Sequence, residues 1–197
     1  MWAQALLGMS ALMGGMTLIP NSIVEIIASQ TVATIQEKIR TFTLVMIGIV
    51  TMMISSGGLF LANNQTPLWM LIVVGAFSGI GVGFIFVGLQ VKVQIDAGMK
   101  DMATATSTSY LIRILAQTVM AAVYGVIMNL ALASGINSHS NITMKMMNEL
   151  SDAKSAKLLP QYLLPEMRRI FHSGIHEIMA VSFILLIIAT VFNFYFN

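Results

Sequence analysis

"MTLIPNSIVEIIASQTVATI" (residues 16–35) is apolar for most of its length, yet it holds a proline at Pro20 and a carboxylate at Glu25, with no basic residue before Lys38. In water this would be a core helix with one exposed acid. In lipid it is a spanning helix carrying a costly one. The composition of the whole chain chooses between the two. Hydrophobic residues make up 57% of the 197 and charged residues 9%, against roughly 25% charged in soluble domains. So few charges cannot cover a water-soluble core. The chain therefore reads as an all-α polytopic membrane protein whose main partner is the lipid bilayer. The absence of cysteine excludes disulfide frameworks and thiolate metal sites. A formal charge of +2 is too slight for a nucleic-acid partner. The opening "MWAQALLGMS" has no basic stretch and no small-residue cleavage pattern, so a secretory signal is not expected.

About 20 apolar residues cross a bilayer core of about 30 Å. Four runs meet that length: one ending near Ile35, then residues 43–61, 68–91 and 178–196. A fifth, residues 103–133, is rich in Thr and Ser in its first turns and holds Arg113. Hydroxyls are tolerated in membrane helices because they bond back to the helix or to a neighbour. About five transmembrane helices in a single membrane domain, residues 1–197, are thus expected. The run from Trp2 to Ile35 exceeds one bilayer, so it tilts strongly or its first residues belong to an earlier helix turned back through Gly8, Gly14 and Gly15. Pro20 lacks an amide donor and is expected to kink its helix five residues before Glu25. Gly75, Gly79 and Gly83 line up small residues for close approach of another helix.

The turn holding Lys38 and Arg40 and the segment holding Lys92 and Lys100 fall on one side, which the positive-inside rule makes cytoplasmic. Residues 134–173 form a long polar loop before the last helix. Within it Ile142, Met146, Leu150 and Ala153 recur at helical spacing and mark a short amphipathic helix.

Glu25 lies about ten residues from the cytoplasmic end of its helix, roughly 15 Å deep at 1.5 Å per residue. Arg113 enters to a similar depth from the same side. A charge there costs roughly 2.5–3.5 kcal/mol and usually faces a cavity or a partner. Two readings are open. Either Glu25 takes up a proton or a cationic substrate while Arg113 competes for it, or the two form a structural ion pair. Gln90, Tyr110, Gln117 and Tyr124 offer hydrogen bonds either to substrate or between helices. His172 and His176 share a helix face at a spacing zinc can use, but no further ligand cluster accompanies them, and neither a metal nor a cofactor is expected.

The order of blocks "GMTLIP", "ATIQEKIRTF", "GAFSGIGVGFIF", "ATSTSYLIRILAQTVMAAVYG" and "FHSGIHEIMAVSFILL" resembles the second half of a major facilitator superfamily transporter, of the fourteen-span drug–proton antiporter branch. The resemblance implies a partial major-facilitator bundle in a bacterial cytoplasmic membrane. Its activity would be proton-coupled efflux of small hydrophobic or cationic drugs, a transport role with no enzymatic step. Ala33, Glu37, Lys38 and Arg40 occupy positions of that family's cytoplasmic-turn motif, with Ala33 and Arg40 standing where the motif has glycines. Arg113 aligns with the arginine of its penultimate-helix pattern, whose glycines are replaced by Ala116 and Met120. The resemblance further implies a separate N-terminal half or a homodimer as partner, because half a facilitator has nothing to rock against. A non-transport membrane assembly or regulatory subunit and an inactive truncated remnant are the alternatives.

Overall fold

In the computed structural model, residues 11–62, 66–137, 141–150 and 155–196 are described, without the side chains of Ala11, Ala33, Lys157 and Phe196. The stretch ahead of Ala11 and the residue Ala153 lie outside them. The described residues are helical with no strand. The helices are α1 (Ala11–Met16), α2 (Ile19–Gln36), α3 (Thr41–Leu61), α4 (Leu68–Asn137), α5 (Met144–Leu150) and α6 (Leu164–Phe196), with a 3₁₀ turn at Ser155–Leu158. Four helices are long and apolar enough to cross a membrane, α1 and α2 counting together as one. Their outward faces are apolar, with Ile23, Ile26, Ile54, Val119 and Ile188 among the exposed side chains. The protein is an integral membrane protein of the all-α polytopic class.

One of the four is doubled. At 70 residues, α4 would measure roughly 105 Å as a straight helix, more than three bilayer cores. It does not run straight, because Gly98 has φ 68° and ψ 173°. That is a backbone region essentially reserved for glycine. The helix folds back on itself there, so Gln94 Nε2 on the first arm (residues 68–97) donates to Thr106 Oγ1 on the second (residues 99–137) at 3.2 Å. Five rods result among the described residues: α2, α3, the two arms of α4, and α6.

The first arm is the hub, because glycine lets two neighbours reach its backbone. A Cβ at Gly79 would lie 2.5 Å from the Asn21 carbonyl of α2, and one at Gly83 would lie 2.9 Å from the Glu25 carbonyl. The Gly75–Gly79–Gly83 stripe therefore seats α2. On another face, Gly81 meets Gly48 of α3 backbone to backbone, and Gly88 lies under Leu44. Small residues allow such close approach in lipid, where packing rather than hydrophobic burial drives association. α6 then runs antiparallel to α3: Asn193 Nδ2 donates to the Phe42 carbonyl at 3.3 Å, and Ser56 Oγ to the Met179 carbonyl at 3.4 Å. Tyr124 on the second arm meets Ser182 of α6 at 2.9 Å, so this tyrosine ties helices together.

Pro20 stands in the first turn of α2. The helical path breaks just ahead of it, at Thr17–Leu18, on the side where a proline ring crowds the preceding carbonyls. Residues 134–173 hold more helix than their polarity suggests: the end of α4, the whole of α5 and the start of α6. Hydropathy marks the last helix only from Ile178. The earlier turns of α6 are amphipathic, burying Met167, Ile170, Phe171 and Ile175 and leaving Arg169, Ser173 and Glu177 exposed. With Leu132, Ile142, Met147, Leu150 and Leu159 these form a cluster capping the end of the bundle opposite Gly98. At the same end the Ala62 carbonyl, just past α3, accepts from His172 Nε2 at 2.9 Å and lies 3.4 Å from His176 Nε2, while His176 stacks on Phe60. The two histidines thus serve a helix terminus whose last carbonyls have no partner within the helix. Replacing His172 by Ala should lower stability by about 1 kcal/mol, the net worth of one such bond, read as an earlier thermal unfolding in detergent.

Candidate functional site

Two chambers that share lining residues form a cleft, one between α2 and the two arms of α4 and the other between the two arms alone. α2 supplies Glu25 and Ser29, positioned because Gly79 and Gly83 let its backbone rest on the first arm. The first arm supplies Phe86, and the second returns Tyr110, Arg113 and Gln117 beside it. This first chamber measures about 330 Å³. The adjoining one, about 480 Å³, shares Phe86, Tyr110 and Arg113 and adds Gln90, Thr106 and Ser107. Both fall within the usual size of small-molecule sites.

Glu25 and Arg113 both line the smaller chamber, a juxtaposition that their similar depths alone leave open. They make no ion pair with each other; a salt bridge forms between Lys92 and Asp96, at 2.7 Å on the surface near Gly98. The Arg113 guanidinium rests instead on aromatic faces, its carbon 4.9 Å from the Phe86 ring centre and 4.6 Å from that of Tyr110. Both distances are within cation–π range. Tyr110 and Arg113 are three residues apart on one helix face, whereas Phe86 reaches them only because α4 folds back. The amide nitrogen of Gln90 is buried with no hydrogen-bond partner among the described residues.

The remaining residues singled out from sequence sit elsewhere. Glu37, Lys38 and Arg40 are exposed in the turn between α2 and α3, and Ala33 lies one helical turn before it. What fastens this turn to the bundle is Gln36, whose Nε2 donates to the Gly88 carbonyl at 2.9 Å. Sequence reasoning missed Phe86, the chamber hydroxyls of Ser29, Thr106 and Ser107, and Gln36. The one clue for Gln36 is an amide at a helix end; for Phe86 nothing distinguishes it from its apolar neighbours. No group of three or more His, Asp or Glu side chains that could hold a metal ion occurs among the described residues.

No family model matches the chain, and no solved structure does. Over 140 residues the chain is 28% identical to multidrug resistance protein 3 of Bacillus subtilis (strain 168). That alignment covers 69% of this chain and 27% of the relative, so the chain spans about a quarter of the curated protein it matches.

Proposed function

We propose that the chain forms one helical half of a major-facilitator-type efflux transporter of the drug–proton antiporter branch, exporting small hydrophobic or cationic compounds in exchange for protons. The observation that carries this reading is the shared chamber of Glu25 and Arg113. An acid and a base face one cavity inside a lipid-spanning bundle, and they are not neutralised as an ion pair. A carboxylate held this way has no fixed partner and takes either a proton or a substrate cation, and that competition is antiport in its simplest form. Intramembrane ionisable groups commonly mark such pathways. The partial similarity to a multidrug resistance protein supports drugs as the cargo. Alternating access requires a second bundle to rock against, so a partner half or a second copy of the chain is part of the proposal. Its membrane is the bacterial cytoplasmic membrane, with the turn at Lys38 and Arg40 facing the cytoplasm.

The test is substrate-dependent proton release from the assembled transporter in weakly buffered detergent solution. The native protein should release protons on addition of a cationic drug. Glu25→Gln should reduce that release to background, while Glu37→Gln, in the exposed turn, should leave it intact. Unchanged release in Glu25→Gln would remove the carboxylate from the exchange.

A further inference from the structure

The Phe86 and Tyr110 rings meet a cation already, and that cation belongs to the protein. An arginine inside a membrane bundle ordinarily turns to a carboxylate, the stronger charge-assisted partner. Here a carboxylate is in the same chamber, and Arg113 nevertheless lies over two rings. The rings are built for a cation in three respects. They come from different arms of α4, so the fold sets their spacing. Tyr110 is half exposed and lines both chambers, so its ring is accessible from the cleft. They also line both chambers, which leaves volume beside them for the bulk of a ligand. Arg113 is tethered and only half-buried, so it can be moved off.

We propose that Phe86 and Tyr110 form the recognition site for a lipophilic, charge-delocalised substrate cation, and that Arg113 is its built-in occupant, displaced when substrate binds. The proposal rests on the transport reading only for the nature of the ligand. A compact, strongly hydrated cation gains little from exchanging water for rings. A bulky organic cation brings apolar surface as well as charge, and desolvated cation–π contacts are worth most. On leaving the rings the guanidinium finds Glu25 in the chamber it already lines. Substrate entry and a change of partner at the acid are thereby linked through one side chain. Neutral drugs of equal size gain nothing from the displacement, so the site selects for charge within a pocket that is otherwise permissive.

The experiment is equilibrium binding of tetraphenylphosphonium to the full chain in nanodiscs, with neutral triphenylphosphine oxide as comparison. Arg113→Gln empties the rings and should tighten tetraphenylphosphonium binding about tenfold, or 1.4 kcal/mol, leaving the neutral compound unaffected. Removing a positive charge would also favour a cation by simple repulsion relieved, so the deciding variants are Phe86→Leu and Tyr110→Leu made in the Arg113→Gln background. Each should abolish most of the gain. A gain that survives both ring substitutions, or no gain at all, overturns the proposal. Arg113→Lys keeps the charge but stacks less well and should give a smaller, equally ring-dependent gain, which carries the test if the glutamine variant loses its helicity. Proton release plays no part in this measurement. Ring-dependent binding without exchange at Glu25 would leave the cation site standing and remove the antiport reading; exchange without ring dependence would do the reverse.

Discussion

Gly98→Val should prevent α4 from folding back and yield little or no correctly assembled protein in the membrane. Gly98 is the one residue with positive φ among those described, at φ 68°, and its ψ of 173° puts it where a side chain is strained whatever the surrounding space. A non-glycine residue in such a region costs about 1–3 kcal/mol, and a β-branched one is the least able to adapt. Nothing lies within 4 Å of a Cβ built there, so the loss would be pure backbone energy with no packing component. The natural escape is a helical conformation at residue 98. That would straighten the two arms and separate Phe86 from Arg113, Gln94 from Thr106, and Glu25 from the whole second arm. Met99→Val, on a neighbouring exposed residue, should assemble normally. Protease resistance after membrane insertion, compared between the two variants, reads the difference.

A second large loss is expected from Gly79→Val. Here the obstacle is steric. The new side chain would meet the Asn21 carbonyl at 2.5 Å, its side-chain oxygen at 2.7 Å and the Glu25 amide at 3.1 Å. Two of those three groups are helix backbone, which cannot swing aside as a side-chain tip can. Overpacking ordinarily costs about 1–3 kcal/mol, and valine against rigid backbone falls at or above the top of that range. α2 must lift away from the first arm, and Glu25 goes with it, so exchange should fail even in molecules that remain inserted. Gly57→Ala is the matched control, because a Cβ there has nothing within 4 Å. Thermal unfolding of the two variants in the same detergent should differ by several degrees or more.

These two glycines show how unevenly the structure could be read from the chain. The apolar runs place α3 and the start of the first arm of α4 to within a few residues, because lipid demands uninterrupted apolar length, while the charged turns after residue 91 hide the six residues by which that arm continues. The stripe at Gly75, Gly79 and Gly83 is legible as a packing face, although nothing in it names α2 as the partner. The bend at Gly98 is less so. Its flanks, "KVQIDAGMKDM", are charged and look like a loop, yet the chain stays helical to within one residue on either side. The start of α6 escapes hydropathy because residues 164–177 are amphipathic; the period of Met167, Ile170, Phe171 and Ile175 carries the signal instead. Of the candidate site, a common depth for Glu25 and Arg113 follows from counting helical rise from the charged end, but their facing one chamber does not. The seat of the guanidinium does not follow, since Phe86 and Tyr110 become neighbours only through the fold-back. Counting rise gives a height and leaves the azimuth undetermined.

The cap built by α5 and the first turns of α6 has one consequence for the chemistry of its sulfur. Met147 and Met167 are fully enclosed there, at 0% exposure, whereas Met99 beside the bend stands 94% exposed. Thioether oxidation converts an apolar side chain into a polar one and needs access to the sulfur. Dilute peroxide should therefore convert Met99 early and with little harm, and should reach Met147 and Met167 only as the cap opens. Those two sulfoxides, once formed, would not fit back into the cluster they left. Peroxide damage to this protein should thus accumulate as a record of how often that end has breathed.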